Sequence, residues 1–162
     1  MNLLIIGVGQ YGFVAKETSQ ATGLFDRIDF LDDNSPIALG KLADYESFLP
    51  EYGSAFVAMG NPELRLLWMD KLERAGFDLP VLIHPKAVVM PSAQLEEGTI
   101  VEAMAVVNSN AAVGTGCLIC AGAVINHNAR VMACCQIDCN AVVGARATVP
   151  EKTKVECNQV FR

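Results

Sequence analysis

The sequence lacks the features that mark membrane-bound, secreted and nucleic-acid-binding proteins. Its apolar runs, such as Leu3–Ile6, are far too short to cross a bilayer. Met1-Asn2 lead directly into a strand-like segment, without a signal-peptide pattern. The chain has 12 Lys and Arg against 18 Asp and Glu, so its net charge of −6 offers no basic footprint for nucleic acid or anionic lipid. We therefore expect a cytoplasmic protein that binds neither.

A six-residue repeat dominates the second half of the sequence. From Ile83 to Val155 an aliphatic residue recurs at every sixth position, and a small residue follows four positions after each until Gln159 breaks the rule. A period of six is neither the 3.6 of a helix nor the alternation of a hairpin strand. It is typical of a triangular coil in which the aliphatic side chain points inward and the second inward position must be small. Thirteen hexads without insertion predict about four stacked coils.

The first half alternates short apolar strands with helical segments. The predicted strands are Leu3–Ile6, Ile28–Leu31 and Ala55–Met59, and the helices following the first and third of them end near Ala21 and Ala75. This alternation predicts a small parallel α/β sheet. The fold class is therefore a small Rossmann-like α/β domain, residues 1–80, followed by an all-β parallel β-helix, residues 81–162.

A glycine-rich turn follows the first predicted strand and precedes a helix. The pattern Gly7-x-Gly-x-x-Gly12 allows a tight turn and brings helix N–H groups close to an anion. Asp32 follows twenty residues after Gly12, where a carboxylate suits ribose hydroxyls. Alone, the pattern suggests NAD, but three strands make only half of a dinucleotide fold. A mononucleotide or nucleotide-sugar site fits the size better, and a strand–helix turn that binds nothing is the alternative.

Together the two halves resemble the bacterial sugar O-/N-acyltransferases, which include sialic acid O-acetyltransferases and N-acetyltransferases of nucleotide-linked 4-amino sugars. The segments that carry the resemblance are 7–12, 30–33, 59–65, 82–87 and 126–128. The resemblance implies left-handed coiling, acetyl-CoA as the acyl donor, and a homotrimer with acyl-CoA between adjacent β-helices. It also implies a sugar or nucleotide-sugar site, for which the candidate residues are Gly7, Gly9, Gln10, Tyr11, Gly12, Asp32, Asp33 and Asn61.

The same resemblance assigns catalysis to His127, one of only two histidines in the chain. It implies a general base that removes a proton as a sugar amine or hydroxyl attacks the thioester directly, and an ordinary imidazole pKa of about 6.5 suits that task. The family usually has an acidic neighbour beside this histidine, whereas here the neighbours are Asn126 and Asn128. A second histidine nine residues later is replaced by Gln136. Asn128 and Gln136 are the candidates for orienting the base or contacting acyl-CoA.

The coil register gives the asparagines and cysteines structural interpretations. Asn108 lies eighteen residues before Asn126, so the two are expected to stack at a corner and to act as turn residues. Cys117 and Cys135 occupy the small inward position as substitutes for alanine. Cys120, which follows Cys117 with ligand-like spacing, is expected to face away from it. We therefore expect free thiols and no metal site.

Three alternatives to a sugar acetyltransferase stay open. The first is a non-catalytic nucleotide-sugar-binding or regulatory homologue, favoured by the missing acidic neighbour of His127. The second is a purely structural β-helix trimer, which predicts no binding of CoA or nucleotide. The third is an NAD oxidoreductase, for which the sequence offers no domain suited to hydride transfer.

Overall fold

The computed structural model describes all residues from Met1 to Arg162, which form two compact units, Met1–Pro80 and Val81–Arg162. Unit 1 has a three-stranded parallel sheet in the order β2-β1-β3. None of its helices combines the length and the apolar character needed to cross a bilayer. In chain order the elements of unit 1 are β1 (Asn2–Ile6), α1 (Gln10–Thr22), β2 (Arg27–Leu31), a 3-10 helix (Leu42–Phe48), α2 (Leu49–Tyr52), β3 (Gly53–Val57) and α3 (Pro62–Ala75).

The third strand and the segment before it differ from the sequence prediction. β3 begins and ends two residues earlier than the predicted Ala55–Met59, because it pairs in register with β1 from Gly53 to Val57. The 3-10 helix and α2 were not predicted from the sequence. Leu42, Tyr45 and Phe48, at every third position of the 3-10 helix, and Leu49 of α2 pack partly buried against the core of unit 1, so tertiary contacts hold these short elements.

The sheet of unit 1 is covered on both faces. Leu3, Leu4, Ile5 and Ile6 are all fully buried, which is the continuous apolar pattern of a parallel sheet rather than the alternation of a half-exposed strand. Asn61 is the N-cap of α3. Its side-chain oxygen accepts hydrogen bonds from the N–H groups of Glu63 and Leu64, at 2.9 and 3.1 Å.

Unit 2 is a left-handed parallel β-helix of fourteen two-residue strands, one more than the thirteen hexads predicted. Phe161 fills the fourteenth inward position, where the sequence repeat was no longer recognisable. In chain order the strands are β4 (Leu82–Ile83), β5 (Val88–Val89), β6 (Gln94–Leu95), β7 (Ile100–Val101), β8 (Val106–Val107), β9 (Ala112–Val113), β10 (Leu118–Ile119), β11 (Val124–Ile125), β12 (Arg130–Val131), β13 (Gln136–Ile137), β14 (Val142–Val143), β15 (Thr148–Val149), β16 (Lys154–Val155) and β17 (Val160–Phe161).

The strands form three flat faces of the prism. Face I contains β4, β7, β10, β13 and β16; face II contains β5, β8, β11, β14 and β17; face III contains β6, β9, β12 and β15. Every pair of neighbouring strands is parallel and offset by eighteen residues, as Val107, Ile125 and Val143 show on face II. This register places any residue directly beside those eighteen positions before and after it.

The prism interior and its corners follow the repeat. Inward aliphatic residues from Val101 to Val155 and the small residues between them form one buried core that includes Cys117 and Cys135. Ile83, in the first coil, is an exception at 37% exposed. The corners require left-handed backbone at residues other than glycine, and asparagine tolerates this conformation best. Asparagines with positive φ are Asn110, Asn128, Asn140 and Asn158.

Candidate functional site

His127 lies at an exposed corner between face II and face III. The inward side chains on either side, Ile125 and Ala129, are fully buried and fix the corner residues outside the prism. The N–H of His127 donates to the side-chain oxygen of Asn126 at 2.8 Å, which closes the turn. Asn128 completes it with a φ of 59° and donates its N–H to the carbonyl of Ser109 at 3.0 Å. The histidine therefore stands on a rigid backbone.

The imidazole of His127 has one side-chain partner. Its Nδ1 lies 3.3 Å from Oδ1 of Asn128, and Nε2 has no hydrogen-bond partner within the chain. An amide oxygen only accepts, so this contact selects the tautomer that carries its proton on Nδ1. Nε2 is then left with a lone pair that faces solvent, as a general base requires.

The predicted stack of asparagines is present at this corner. Nδ2 of Asn108 lies 3.5 Å from Oδ1 of Asn126, one coil away, and Asn108 also accepts the N–H of Ser109 at 2.9 Å. Asn108 and Asn126 are thus turn residues, as the coil register indicated. Asn128 is likewise a turn residue, and its side chain also contacts His127.

Gln136 lies apart from His127. It belongs to β13 of face I, and its Nε2 contacts Sγ of Cys120 at 4.0 Å. No hydrogen bond joins Gln136 to His127. Of the two candidates for orienting the base, only Asn128 contacts the histidine. A contact of Gln136 with acyl-CoA stays a prediction.

An open cavity of about 400 Å³ lies one coil further along the stack from His127. It is lined by Gly144, Ala145, Arg146, Ala147 and Arg162. The N–H of Arg146 donates to the carbonyl of His127 at 3.2 Å, which ties the two corners together. The sequence prediction missed both arginines. The eighteen-residue register could have found them, since Arg146 follows Asn128 by eighteen residues and Arg162 follows Gly144 by the same interval.

In the glycine loop of unit 1, the fold requires glycine at Gly7 and Gly12 but not at Gly9. Gly7 has a φ of 103°, and its N–H donates to the carbonyl of Leu31 at 2.9 Å. A side chain at Gly12 would overlap the carbonyl oxygen of Gly7. A Cβ on Gly9 would meet no atom within 4 Å, and φ there is an ordinary −64°. Gly9 therefore leaves open space beside the first turn of α1.

The first turn of α1 is exposed to incoming groups. Gly9 is the N-cap and supplies no side-chain hydrogen bond, and the first turn contains no acidic residue. Gln10 is exposed and Tyr11 half-buried beside this turn. N–H groups at an uncapped helix start attract anions, so the loop can accept a phosphate.

The two aspartates after β2 are engaged with backbone. Oδ2 of Asp32 accepts the N–H of Val8 at 2.9 Å, and Oδ1 accepts that of Asn34 at 2.8 Å. These hydrogen bonds hold the pKa of Asp32 below its ordinary value, and the one from Val8 has the largest effect. Asp33 accepts the N–H of Leu42 at 3.0 Å and so anchors the 3-10 helix. Both carboxylates fix loops, a task that their sequence positions did not reveal.

Asn61 follows β3 and commits its oxygen to the α3 cap, which leaves its side-chain NH₂ for other partners. Close by, the buried Arg65 donates from Nη1 to the carbonyls of Met59 and Gly60 at 2.7 and 3.2 Å. The sequence prediction did not single out Arg65. The loops after β1, β2 and β3 all lie at the carboxyl end of the sheet, which is where open α/β sheets bind ligands.

Residues 2–72 match the PglD N-terminal domain. Over 99% of its length the chain also superimposes on the acetyltransferase domain of PglB from Neisseria gonorrhoeae, with a TM-score of 0.95 and 30% sequence identity, and covers 82% of that domain's chain. The chain belongs to the bacterial sugar acyltransferase family. The predicted family resemblance and fold class are thereby confirmed.

Two further structures to which the chain is similar contain ligands. The PglB acetyltransferase domain in complex with acetyl coenzyme A has a TM-score of 0.94 and 31% identity, over 99% of this chain and 82% of that one. A mutant of perosamine N-acetyltransferase from Caulobacter crescentus, in complex with CoA and GDP-perosamine, has a TM-score of 0.79 and 26% identity. That match covers 99% of this chain and 91% of the other.

Proposed function

We propose that this chain transfers an acetyl group from acetyl-CoA directly to the amino group of a nucleotide-linked amino sugar. The observation that carries the proposal is the exposed imidazole of His127, held by Asn128 with Nε2 open to solvent, in a chain of the sugar acyltransferase family. The family members with bound acetyl coenzyme A, CoA and GDP-perosamine support the choice of donor and acceptor class. Unit 1 binds the nucleotide-sugar, and unit 2 carries the chemistry.

The reaction needs one base and no covalent enzyme intermediate. Nε2 of His127 accepts a proton from the acceptor amine as the nitrogen attacks the thioester carbonyl. A C–N bond forms, the tetrahedral intermediate collapses, and the C–S bond breaks. The proton held by His127 passes to the departing sulfur, so the products are the N-acetyl sugar and CoA. Backbone N–H groups around the site stabilise the oxyanion of the intermediate.

The cavity beyond His127 suits the anionic part of the donor. Arg146 and Arg162 carry guanidinium groups that pair with phosphates in bidentate geometry. The cavity lies one coil from the base, so a donor whose phosphates bind there can place its thioester near Nε2. We assign these two arginines to the phosphates of acetyl-CoA.

The glycine loop is assigned to the nucleotide part of the acceptor. The open backbone at Gly9 and the uncapped start of α1 favour a diphosphate. Gln10, Tyr11 and the side-chain NH₂ of Asn61 are the polar groups proposed to contact the nucleotide or the sugar. Asp32 and Asp33 shape the loop and retain lone pairs for ribose hydroxyls.

A homotrimer in the cytoplasm completes the proposal. Five valines form a stripe along the outer side of face II, and two of them, Val88 and Val160, are 50% and 49% exposed. The other members of the stripe are Val106, Val124 and Val142. An apolar stripe of this kind marks a subunit interface. Face II ends at the corner of His127, so a subunit packed on the stripe lies beside the base.

A binding protein without catalysis is the second candidate. The specific observation in its favour is that His127 contacts an amide oxygen instead of a carboxylate. An amide selects the tautomer but stabilises the imidazolium less than a carboxylate, so proton transfer is slower. This candidate predicts binding of CoA and nucleotide-sugar without turnover.

The deciding experiment incubates the purified full chain with acetyl-CoA and a panel of GDP- and UDP-linked 4-amino sugars, sialic acids and their hydroxyl analogues. Free CoA and acetylated sugar are quantified by liquid chromatography and mass spectrometry, because thiol reagents would also react with the exposed Cys157. Acceptor-dependent release with an amino sugar supports the proposal. Transfer only to hydroxyl acceptors would contradict N-acetylation, and binding of both ligands without release would favour the binding protein.

A further inference from the structure

The corner between face I and face II, away from His127, carries a cluster of thiols and a carboxylate. Asp138 and Cys139 follow β13, and Cys157 follows β16 one coil later, directly beside Cys139. One carboxylate oxygen and both sulfur atoms lie within 4.8 Å of one another. The N–H of Asn158 donates to the carbonyl of Cys139 at 3.1 Å, so the two coils hold the cluster in fixed register.

The three groups differ in exposure and protonation. The side chain of Asp138 is only 16% exposed, and its Oδ1 accepts the N–H of Cys139 at 2.8 Å. Burial opposes ionisation of Asp138, but hydrogen bonds from the N–H of Cys139 and from Lys154 outweigh it and lower its pKa. Cys139 is half-buried and Cys157 exposed, so a small solute can reach both sulfurs.

The position of these cysteines separates them from Cys117 and Cys135. Cys117 and Cys135 lie inside the prism, where each Sγ points at a backbone carbonyl, of Met132 at 3.1 Å and of Pro150 at 2.9 Å respectively. The hydrogen bond with the neighbouring thiol of Cys135, and then burial, also raise the pKa of Cys117. Those two sulfurs cannot converge on an ion outside the prism. The ligand-like spacing in the sequence, Cys117 to Cys120, is thus not where the geometry brings ligand atoms together.

We propose that Asp138, Cys139 and Cys157 bind a thiophilic divalent cation of the Zn²⁺ type. Two thiolates and one carboxylate are a donor set that Zn²⁺ accepts, with the fourth tetrahedral position left to water. In such a site the ligand atoms lie about 3.7 Å apart, given Zn–S bonds of about 2.3 Å. The ligand atoms lie within 4.8 Å of one another, so binding requires each separation to shorten by about 1 Å at most. The ion would join two consecutive coils near the last strands of unit 2.

Lys154 is the group that competes with a cation for this site. Its Nζ lies 3.3 Å from Oδ2 of Asp138 and 2.9 Å from Oε2 of Glu156. The lysine side chain is 45% exposed, so it can move away and keep its contact with Glu156 when an ion binds. Neutralising this lysine therefore strengthens binding, a direction of change that a purely structural cluster does not predict.

The test titrates the reduced, chelator-treated full chain with Cd²⁺ and records thiolate-to-metal charge-transfer absorption in the ultraviolet. Zn²⁺ affinity is then measured by competition against a chromophoric chelator. The proposal expects one equivalent per chain, and affinity lower by roughly tenfold or more in Cys157→Ser and Asp138→Asn. Lys154→Gln is expected to raise the affinity. Zn²⁺ also raises the unfolding temperature of the wild type but not of Cys157→Ser.

Cys134→Asn is the matched control. Cys134 sits at another corner with a φ of 54°, a conformation that asparagine adopts at the equivalent positions of this β-helix. This variant removes one thiol outside the cluster and is expected to bind Cd²⁺ as the wild type does. Circular dichroism confirms folding of every variant. Absence of the absorption band in the folded, reduced wild type, or a band that survives Cys157→Ser unchanged, would overturn the proposal, as would Cys139–Cys157 disulfide formation without metal binding.

Discussion

Nδ1 of His127 lies 3.3 Å from Oδ1 of Asn128, a residue held in left-handed backbone with a φ of 59°. The corner that the β-helix needs for its geometry thus also supplies the partner of the proposed base. Because the partner is an amide, it orients the imidazole without adding charge. This relationship explains how a base can be positioned without an acidic neighbour.

Asn128 can be changed to separate orientation from charge. Asn128→Asp keeps a residue that tolerates left-handed backbone and adds a carboxylate beside the imidazole, so we expect kcat to rise roughly threefold to tenfold. Glycine adopts left-handed backbone without strain, so Asn128→Gly should leave the unfolding temperature unchanged. The variant removes the side-chain partner of His127, so we expect kcat to fall. Steady-state kinetics and thermal unfolding check both. Asn158→Asp, at a distant corner with a φ of 62°, is the control and should leave kcat unchanged.

Substitution of Arg146 tests whether the phosphates of acetyl-CoA bind beside Arg146 and Arg162. We expect Arg146→Asn to raise KM for acetyl-CoA roughly fivefold to tenfold with little change in kcat, because a charge-assisted hydrogen bond to phosphate is lost. Acetyl-pantetheine has no phosphates and serves as the control donor. An equal KM increase with both donors would show that the arginine does not contact phosphate.

The glycine loop offers a matched pair of substitutions. Gly9→Ala adds a Cβ in open space at an ordinary φ, so stability changes little while the nucleotide-sugar loses its close approach to the backbone. The dissociation constant of the nucleotide-sugar, measured by calorimetry, is expected to be roughly tenfold higher for Gly9→Ala than for the wild type. Gly12→Ala forces a clash with the carbonyl of Gly7 and lowers the unfolding temperature instead. Tight nucleotide-sugar binding by Gly9→Ala would remove the loop from the proposed site.

The valine stripe on face II tests the trimer. Val124 lies in the middle of the stripe, between Val106 and Val142. Val124→Asp buries a charge in the proposed interface, so sedimentation equilibrium should give a mass near 17.4 kDa instead of three times that value. Thr148→Asp adds the same charge on face III and should leave the wild-type mass. A wild-type chain that sediments as a monomer would contradict the trimer.

The sequence determined the repeat far better than the details of the site. The six-residue period from Ile83 predicted the β-helix because one inward position holds an aliphatic side chain in thirteen successive hexads. Phe161 was missed because an aromatic residue fills its place at the end of the stack. The 3-10 helix over Leu42–Phe48 was missed because its apolar repeat, Leu42, Tyr45 and Phe48 at every third position, extends over only seven residues.

Within the site, sequence reasoning named His127 and Asn128, but side-chain geometry decided their relationship. Asp32 follows a strand in the manner of a ribose ligand, yet its oxygens hold the backbone of Val8 and Asn34. Such hydrogen bonds depend on loop conformation, which local sequence does not specify. Arg146 is recognisable as a neighbour of this corner only through the eighteen-residue register, because it follows Asn128 by one coil. The sequence prediction used that register for the asparagines and cysteines alone.

The role of His127 as the general base is tested most directly by comparing wild type with His127→Ala in steady-state transfer from acetyl-CoA to the best acceptor of the panel. Loss of a general base is expected to lower kcat by roughly a hundredfold or more, while KM for acetyl-CoA changes little. His84→Asn is the control, because the side chain of His84 accepts the N–H of Lys86 at 3.0 Å and an asparagine side chain can do the same. Retention of kcat within about threefold by His127→Ala would show that His127 is not the general base.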